Sequence, residues 1–192
     1  MSNCFFASDL HGRRSAYTTL FRRIATDAPS AVFLGGDLLP NAFSDAHDDD
    51  FLDDFLFPGL RALRKAMGAV YSRIFVIPGN DDVRSEAQRL IDEEHHGTWT
   101  YVHNRHASFE QTHVYGYACV PPTPFRLKDW EKYDVSQHVD PGCVSPEEGI
   151  RSVPVTPQQA RYETIAEDLR QLAGDQPLDR AIFLCHAPPY QT

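Results

Sequence analysis

Four short apolar runs punctuate this chain, and each stops at side chains able to bind a metal. Cys4-Phe5-Phe6 leads into Ala7-Ser8-Asp9-Leu10-His11-Gly12, and Ala31-Val32-Phe33-Leu34 into Gly35-Gly36-Asp37. Ile74-Phe75-Val76-Ile77 leads into Pro78-Gly79-Asn80-Asp81-Asp82, and the last run, over residues 181–185, into His186-Ala187-Pro188. Unbroken apolar runs of this length are strands covered on both faces, the texture of a parallel sheet. Between the first two, Tyr17, Leu20, Phe21 and Ile24 recur at helical spacing over residues 13–28, and Pro29 ends that helix. Strand, helix, strand in succession implies an α/β sheet with its site along the carboxyl ends of the strands. Asp9 and His11 stand two apart, so carboxylate and imidazole share one face. Paired glycines before Asp37 suit an exit where backbone must approach a ligand closely. Any one of these ends alone reads as ordinary capping; four together are hard to explain as packing.

The remaining segments are less informative. The acidic stretch from Asp45 to Asp54 lacks the alternating Asp and central Gly of a calcium loop. It reads as the start of a helix, with Phe51, Leu52, Phe55 and Leu56 facing the core and the helix continuing over residues 60–67. A short helix is expected over residues 83–93. From residue 98 the pieces become shorter and alternating (99–102, 107–110, 113–117), the pattern of an antiparallel or mixed second sheet. Residues 121–157 carry little periodicity and are expected to form a lid, with Arg126, Lys128, Trp130, Lys132 and Tyr133 available to face an anionic substrate; a plain surface excursion is the alternative. One amphipathic helix is expected over residues 158–172, through Tyr162, Ile165, Leu169 and Leu172.

At 192 residues the chain is expected to be a single domain spanning residues 1–192. Its net charge of −9 speaks against phosphate-led nucleic-acid binding. It leaves open a small phosphorylated substrate, because divalent cations would invert the local field. No apolar run is long enough for a membrane span. The dispersed cysteines, two of them in apolar runs, read as reduced core thiols of a cytoplasmic protein. No glycine fingerprint of a dinucleotide site follows the first strand.

The order Asp9-x-His11, Gly36-Asp37, Gly79-Asn80-Asp81-Asp82 and strand-terminal His186 resembles the calcineurin-like metallophosphoesterases over nearly the whole chain. Residues 117–125, Tyr-Ala-Cys-Val-Pro-Pro-Thr-Pro-Phe, resemble a group of uncharacterised bacterial and archaeal members. The resemblance implies a four-layer αββα sandwich and a dinuclear site of divalent ions (Mn, Fe, Zn or Ni). It implies that Asp9 and His11 bind the first ion, that Asp37 bridges, and that Asn80 and His186 bind the second. It further implies metal-dependent hydrolysis of phosphoric mono- or diesters, with Asn80 and Asp81 at the reacting group. Arg13, just after His11-Gly12 at a helix start, is a candidate phosphate contact.

Two departures from the family pattern stand out. The family often carries His after the strand-end Asn; here Asp81 holds that place, and a carboxylate there would repel phosphate. The closing Gly-His-x-His does not occur, and His47, His95, His96, His103, His106, His113 and His138 lack its spacing. The expectation is therefore a domain incomplete at its C-terminus, with strands missing and an exposed sheet edge open to self-association. A non-catalytic binding or scaffold protein on the same fold is the competing reading, separable by metal content.

Overall fold

The structure is a computed structural model that describes residues 3–41 and 50–188. Three of the apolar runs form β1 (Cys4–Ala7), β2 (Ala31–Gly35) and β3 (Arg73–Ile77), all parallel and side by side. Ala7 pairs with Leu34, and Leu34 with Val76, so the three strands end at the same level. β4 (Thr100–Tyr101) adds to β3 in parallel. This two-residue strand therefore closes the first sheet, where the alternating texture from residue 98 suggests the start of the second.

The second sheet holds β5 (Arg105–Phe109), β6 (Thr112–Tyr117) and β7 (Ala181–Cys185). β5 and β6 are antiparallel and β7 runs parallel to β6, which makes the sheet mixed. β2 and β3 are buried on both faces, as their unbroken apolar runs require. Val32, Leu34, Ile74 and Val76 pack with Tyr17 and Ile24 of α1 (Arg14–Asp27) and with Leu60 and Leu63 of α2 (Phe57–Met67). On the opposite face Phe33, Phe75 and Ile77 share a core with Val114, Tyr117 and Leu184 of the second sheet. Each such side chain contributes about 1.5–3 kcal/mol when fully buried. The two sheets thus lie face to face, with α1 and α2 on the outer face of the first, in keeping with the sandwich expected from the resemblance.

Several local expectations are corrected. Much of the acidic stretch lies outside the described residues. Its end, Asp50, caps the following turn by accepting from Leu52 and Asp53 N–H, and Phe51–Leu56 winds as a π-helix into α2. The short helix is α3 (Ala87–Asp92), flanked by 3₁₀ turns. The single helix expected over 158–172 is two, α4 (Pro157–Tyr162) and α5 (Ile165–Ala173). Thr164 caps α5 by accepting from Glu167 N–H, and Ile165 and Ala166 N–H donate to the Tyr133 and Asp134 carbonyls. Tertiary backbone bonding thus breaks a continuous apolar period. Cys4 is exposed, so it is no core thiol, whereas Cys119 is buried; neither is in a disulfide.

The long segment after β6 is pinned from within. Lys128 is fully buried and donates to Glu131 at 2.5 Å and to the Thr123 carbonyl at 2.9 Å. Glu131 also accepts from the Thr123 hydroxyl at 2.6 Å and its N–H at 2.8 Å. Trp130 and Tyr133 are buried, and Lys132 pairs with Glu163 and Asp168. These side chains hold the loop together, so of the five expected to face an anion, Arg126 alone remains exposed.

His103 is enclosed by Tyr101, Tyr117 and Trp130, and its Nδ1 accepts the Ala118 N–H at 2.9 Å. Burial, reinforced by Arg84, Lys132 and Arg105 against Asp168, pushes the imidazole down to about 3. The neutral ring is the folded form, so its contribution is complete above the ordinary histidine range and is lost as pH falls towards 3. Denaturant unfolding is expected to lose on the order of 1–2 kcal/mol between pH 7 and 5 from this group. A His103→Gln variant should flatten that acid limb; an identical limb in the variant would remove His103 from the account.

Candidate metal centre

The exits of β1 and β2 are zipped together beyond the strands. Asp9 N–H donates to the Gly36 carbonyl (3.0 Å), His11 N–H to Asp37 (2.8 Å) and Gly12 N–H to Leu38 (2.9 Å). This ladder sets Asp9 and His11 beside Asp37. All three take left-handed backbone angles, φ 57°, 45° and 53° respectively, which L side chains adopt at a cost. Glycine could relieve that strain, so these non-glycine residues hold their positions for their side chains. The Asp9, His11 and Asp37 donor atoms lie within 4.8 Å of one another.

A second convergence lies on the other side of Asp37. His186, at the end of β7, donates Nδ1–H to the Gly35 carbonyl at 2.7 Å. That bond commits the ring proton and turns Nε2 towards Asn80 Oδ1 (3.0 Å) and Asp37 Oδ1 (3.4 Å). Asn80 in turn donates its amide to Asp81 at 3.0 Å, which fixes its oxygen towards His186. Three lone-pair atoms thus face one another, an arrangement that is repulsive unless a cation, proton or metal, sits among them. Burial alone would depress His186, but Asp37 and the Gly35 carbonyl hold its pKa above the usual histidine value. Burial likewise opposes ionisation of Asp37, yet His186, the Asp81 N–H and His11 outweigh it and keep that carboxyl low.

The two Asp37 oxygens divide between the groups: Oδ2 lies 3.9 Å from His11 Nε2 and Oδ1 3.4 Å from His186 Nε2. Close backbone approach makes this possible. A Cβ on Gly36 would come within 2.6 Å of His186 Nδ1 and 2.8 Å of Gly79 Cα, and one on Gly79 would overlap Asp37 itself. Carboxylate, imidazole and amide oxygen are the donor set of Mn, Fe, Zn and Ni, so the residues present fit such ions.

Asp81 lines the same cleft, with Oδ2 3.8 Å from His11 Nδ1; burial and the neighbouring Asp37 push its pKa up. Arg13 does not line this cleft. Its guanidinium folds back onto the Asp9 carbonyl (2.8 Å) and the Leu10 carbonyl (3.2 Å), bracing the β1 exit. Of the other histidines, none among the described residues lines the cleft; His47 lies outside them.

Sequence reasoning passes over Asp82. It is buried, and it accepts from Leu38 and Leu39 N–H at 2.9 and 2.7 Å through one oxygen and from Gly79 N–H at 2.8 Å through the other. It therefore ties the loop carrying Asp37 to the loop carrying Asn80. Its one signal in the sequence is a third polar residue in succession after Pro78-Gly79.

Comparison with known proteins bears on the fold and the family. The crystal structure of TT1561 of Thermus thermophilus superposes with a TM-score of 0.54 at 17% identity, over 100% of this chain and 70% of that one. A second solved chain gives a TM-score of 0.41 at 17% identity over 61% of this chain, which spans 53% of its length. The fold comparison rests on the first of these. No curated protein matches the sequence. No helix among the described residues is long and apolar enough to cross a membrane. The sequence model of the calcineurin-like phosphoesterases matches residues 4–191, nearly the whole chain, and the protein belongs to that family.

Proposed function

We propose that the chain is a metal-dependent hydrolase of phosphoric mono- or diesters that works with two divalent ions. Asp9, His11 and Asp37 would hold one and Asp37, Asn80 and His186 the other. The observation that carries this reading is the division of the Asp37 carboxylate between two groups of donors. The chemistry supplied by divalent ions there is activation of a water for attack on phosphorus and neutralisation of charge on the phosphoryl oxygens. The protein's own part is orientation. The Gly35 carbonyl fixes the tautomer of His186, the Asp81 carboxylate fixes the Asn80 amide, and the β1–β2 ladder sets Asp9 and His11.

Elemental analysis of the full chain beside a Mn²⁺-dependent aryl phosphodiester assay tests the reading. About two ions per chain with Mn²⁺-dependent turnover is the expected outcome. A chain that purifies without metal and turns over no ester would instead be a binding or scaffold protein.

Asp81 sets the range of esters. A carboxylate beside the incoming phosphate cannot assist a leaving group as a positioned imidazole would, and general acid catalysis contributes about 10²–10⁴-fold. Asp81→His is expected to raise turnover of alkyl esters about tenfold or more and of nitrophenyl esters much less, since nitrophenolate leaves without a proton. Equal effects on both classes would remove leaving-group protonation from the explanation.

A further inference from the structure

The cleft that holds Asp9, His11, Asp37, Asn80 and His186 is a polar space of about 380 Å³. A second cavity of about 490 Å³ adjoins it, and Asp81 and Phe125 line both. The walls of the second are of another kind: Phe125, Leu127 and Ile150, with Asn41 and Arg126.

Phe125 and Ile150 are 59% and 41% exposed, large apolar side chains left towards solvent. They do not sit on slack chain. Ile150 N–H donates to the Arg126 carbonyl and Lys128 N–H to the Ile150 carbonyl, both at 2.8 Å. The buried Lys128–Glu131 pair anchors the same strip. Exposed apolar groups on a braced loop, beside a polar reaction cleft, form a preorganised wall for an apolar ligand. Arg126 is exposed, and its guanidinium pairs with no carboxylate among the described residues, although the chain carries a net charge of −9.

We infer that this second cavity receives the organic part of the substrate: an apolar, aromatic or branched aliphatic ester group whose far end carries an anionic substituent for Arg126. The inference rests on the phosphoester reading above and adds the substrate class. The phosphoryl group would lie among the metal-type donors, and the ester group would pass Asp81 and rest on Phe125 and Ile150. Compact hydrophilic esters would leave that wall uncovered.

Calorimetric titration of the full manganese-loaded chain with methylphosphonate, phenylphosphonate and 4-carboxyphenylphosphonate tests this, beside the turnover assay. Phenylphosphonate is expected to bind about tenfold tighter than methylphosphonate, and the carboxylate to add a further gain of about fivefold. In a Phe125→Ala/Ile150→Ser double variant the phenyl-to-methyl ratio should fall close to one. In Arg126→Ala only the carboxylate gain should vanish. Because these side chains are exposed, the variants should melt with the wild type. The wild-type ratio gives a second measure independent of them, and a ratio near one there overturns the inference. Turnover present with a ratio of one leaves the phosphoester reading standing alone. A tenfold ratio without turnover sinks that reading and keeps the cavity's ligand class.

Discussion

Asp37→Asn is expected to lower the bound metal from about two ions to one or none and to reduce phosphoester turnover on the order of 10³-fold. The reason is local. One Asp37 oxygen faces His11 and the other faces His186 and Asn80, so an amide leaves one side without an anionic donor. The same change should cost the metal-free fold modestly, because the ionised Asp37 is held there by His186, His11 and the Asp81 N–H. Part of that cost is offset, since Asp37 is buried near Asp81 and Asp9 and removing its charge relieves repulsion that pushes Asp81 up. Manganese should therefore raise the melting temperature of the wild type, because it binds the folded state, while leaving the variant unmoved. That pair of measurements separates a ligand from a structural residue. Unchanged metal content in Asp37→Asn would end the assignment of Asp37 between two ions.

The strands and their exits are legible because a strand buried on both faces has to be apolar throughout, and a polar residue at its end is then conspicuous. Val32, Leu34, Ile74 and Val76 face helices while Phe33, Phe75 and Ile77 face the second sheet, and that two-sided burial is what the unbroken runs encode. The gathering of Asp9, His11, Asp37 and Asn80 follows from the level ends of β1, β2 and β3, and His186 joins them from the end of β7 in the facing sheet. What the sequence hides is set by partners far along the chain. Lys128 reads as a surface cation, but Glu131 and the Thr123 carbonyl make it the buried pin of its loop. The period through Tyr162, Ile165, Leu169 and Leu172 gives no hint of a break, because the break comes from the Tyr133 and Asp134 carbonyls. Arg13 reads as free to meet phosphate, yet the carbonyls four and three residues before it take its guanidinium. The left-handed backbone at Asp9, His11 and Asp37 is equally hidden, since glycine is the usual marker of such angles and none stands at these positions.

Loss of Asp82 is expected to cost the fold heavily for the size of the side chain. Asp82→Ala would strip the acceptor from three backbone N–H groups, Leu38, Leu39 and Gly79, at a buried position. An orphaned buried donor costs about 1–3 kcal/mol. Against this, burial opposes the Asp82 charge and pushes the carboxyl up to about 6, so removing the charge returns part of the loss. A net destabilisation of about 3 kcal/mol is expected from denaturant unfolding. Asp82→Asn should lose roughly half as much, because one oxygen can still accept from Leu38 and Leu39 while its amide faces Gly79 N–H. The consequence for function follows from what Asp82 joins. It touches neither the Asp9 nor the His186 donors, yet it sets the spacing between the loops of Asp37 and Asn80. Manganese affinity should therefore fall about 10–100-fold in whatever fraction of the variant stays folded, the range seen when the groups that orient ligands are removed. A variant as stable as the wild type would show that water satisfies the three donors. A destabilised variant with undiminished manganese affinity would show that the β1–β2 ladder and the Gly35–His186 bond hold the centre without Asp82.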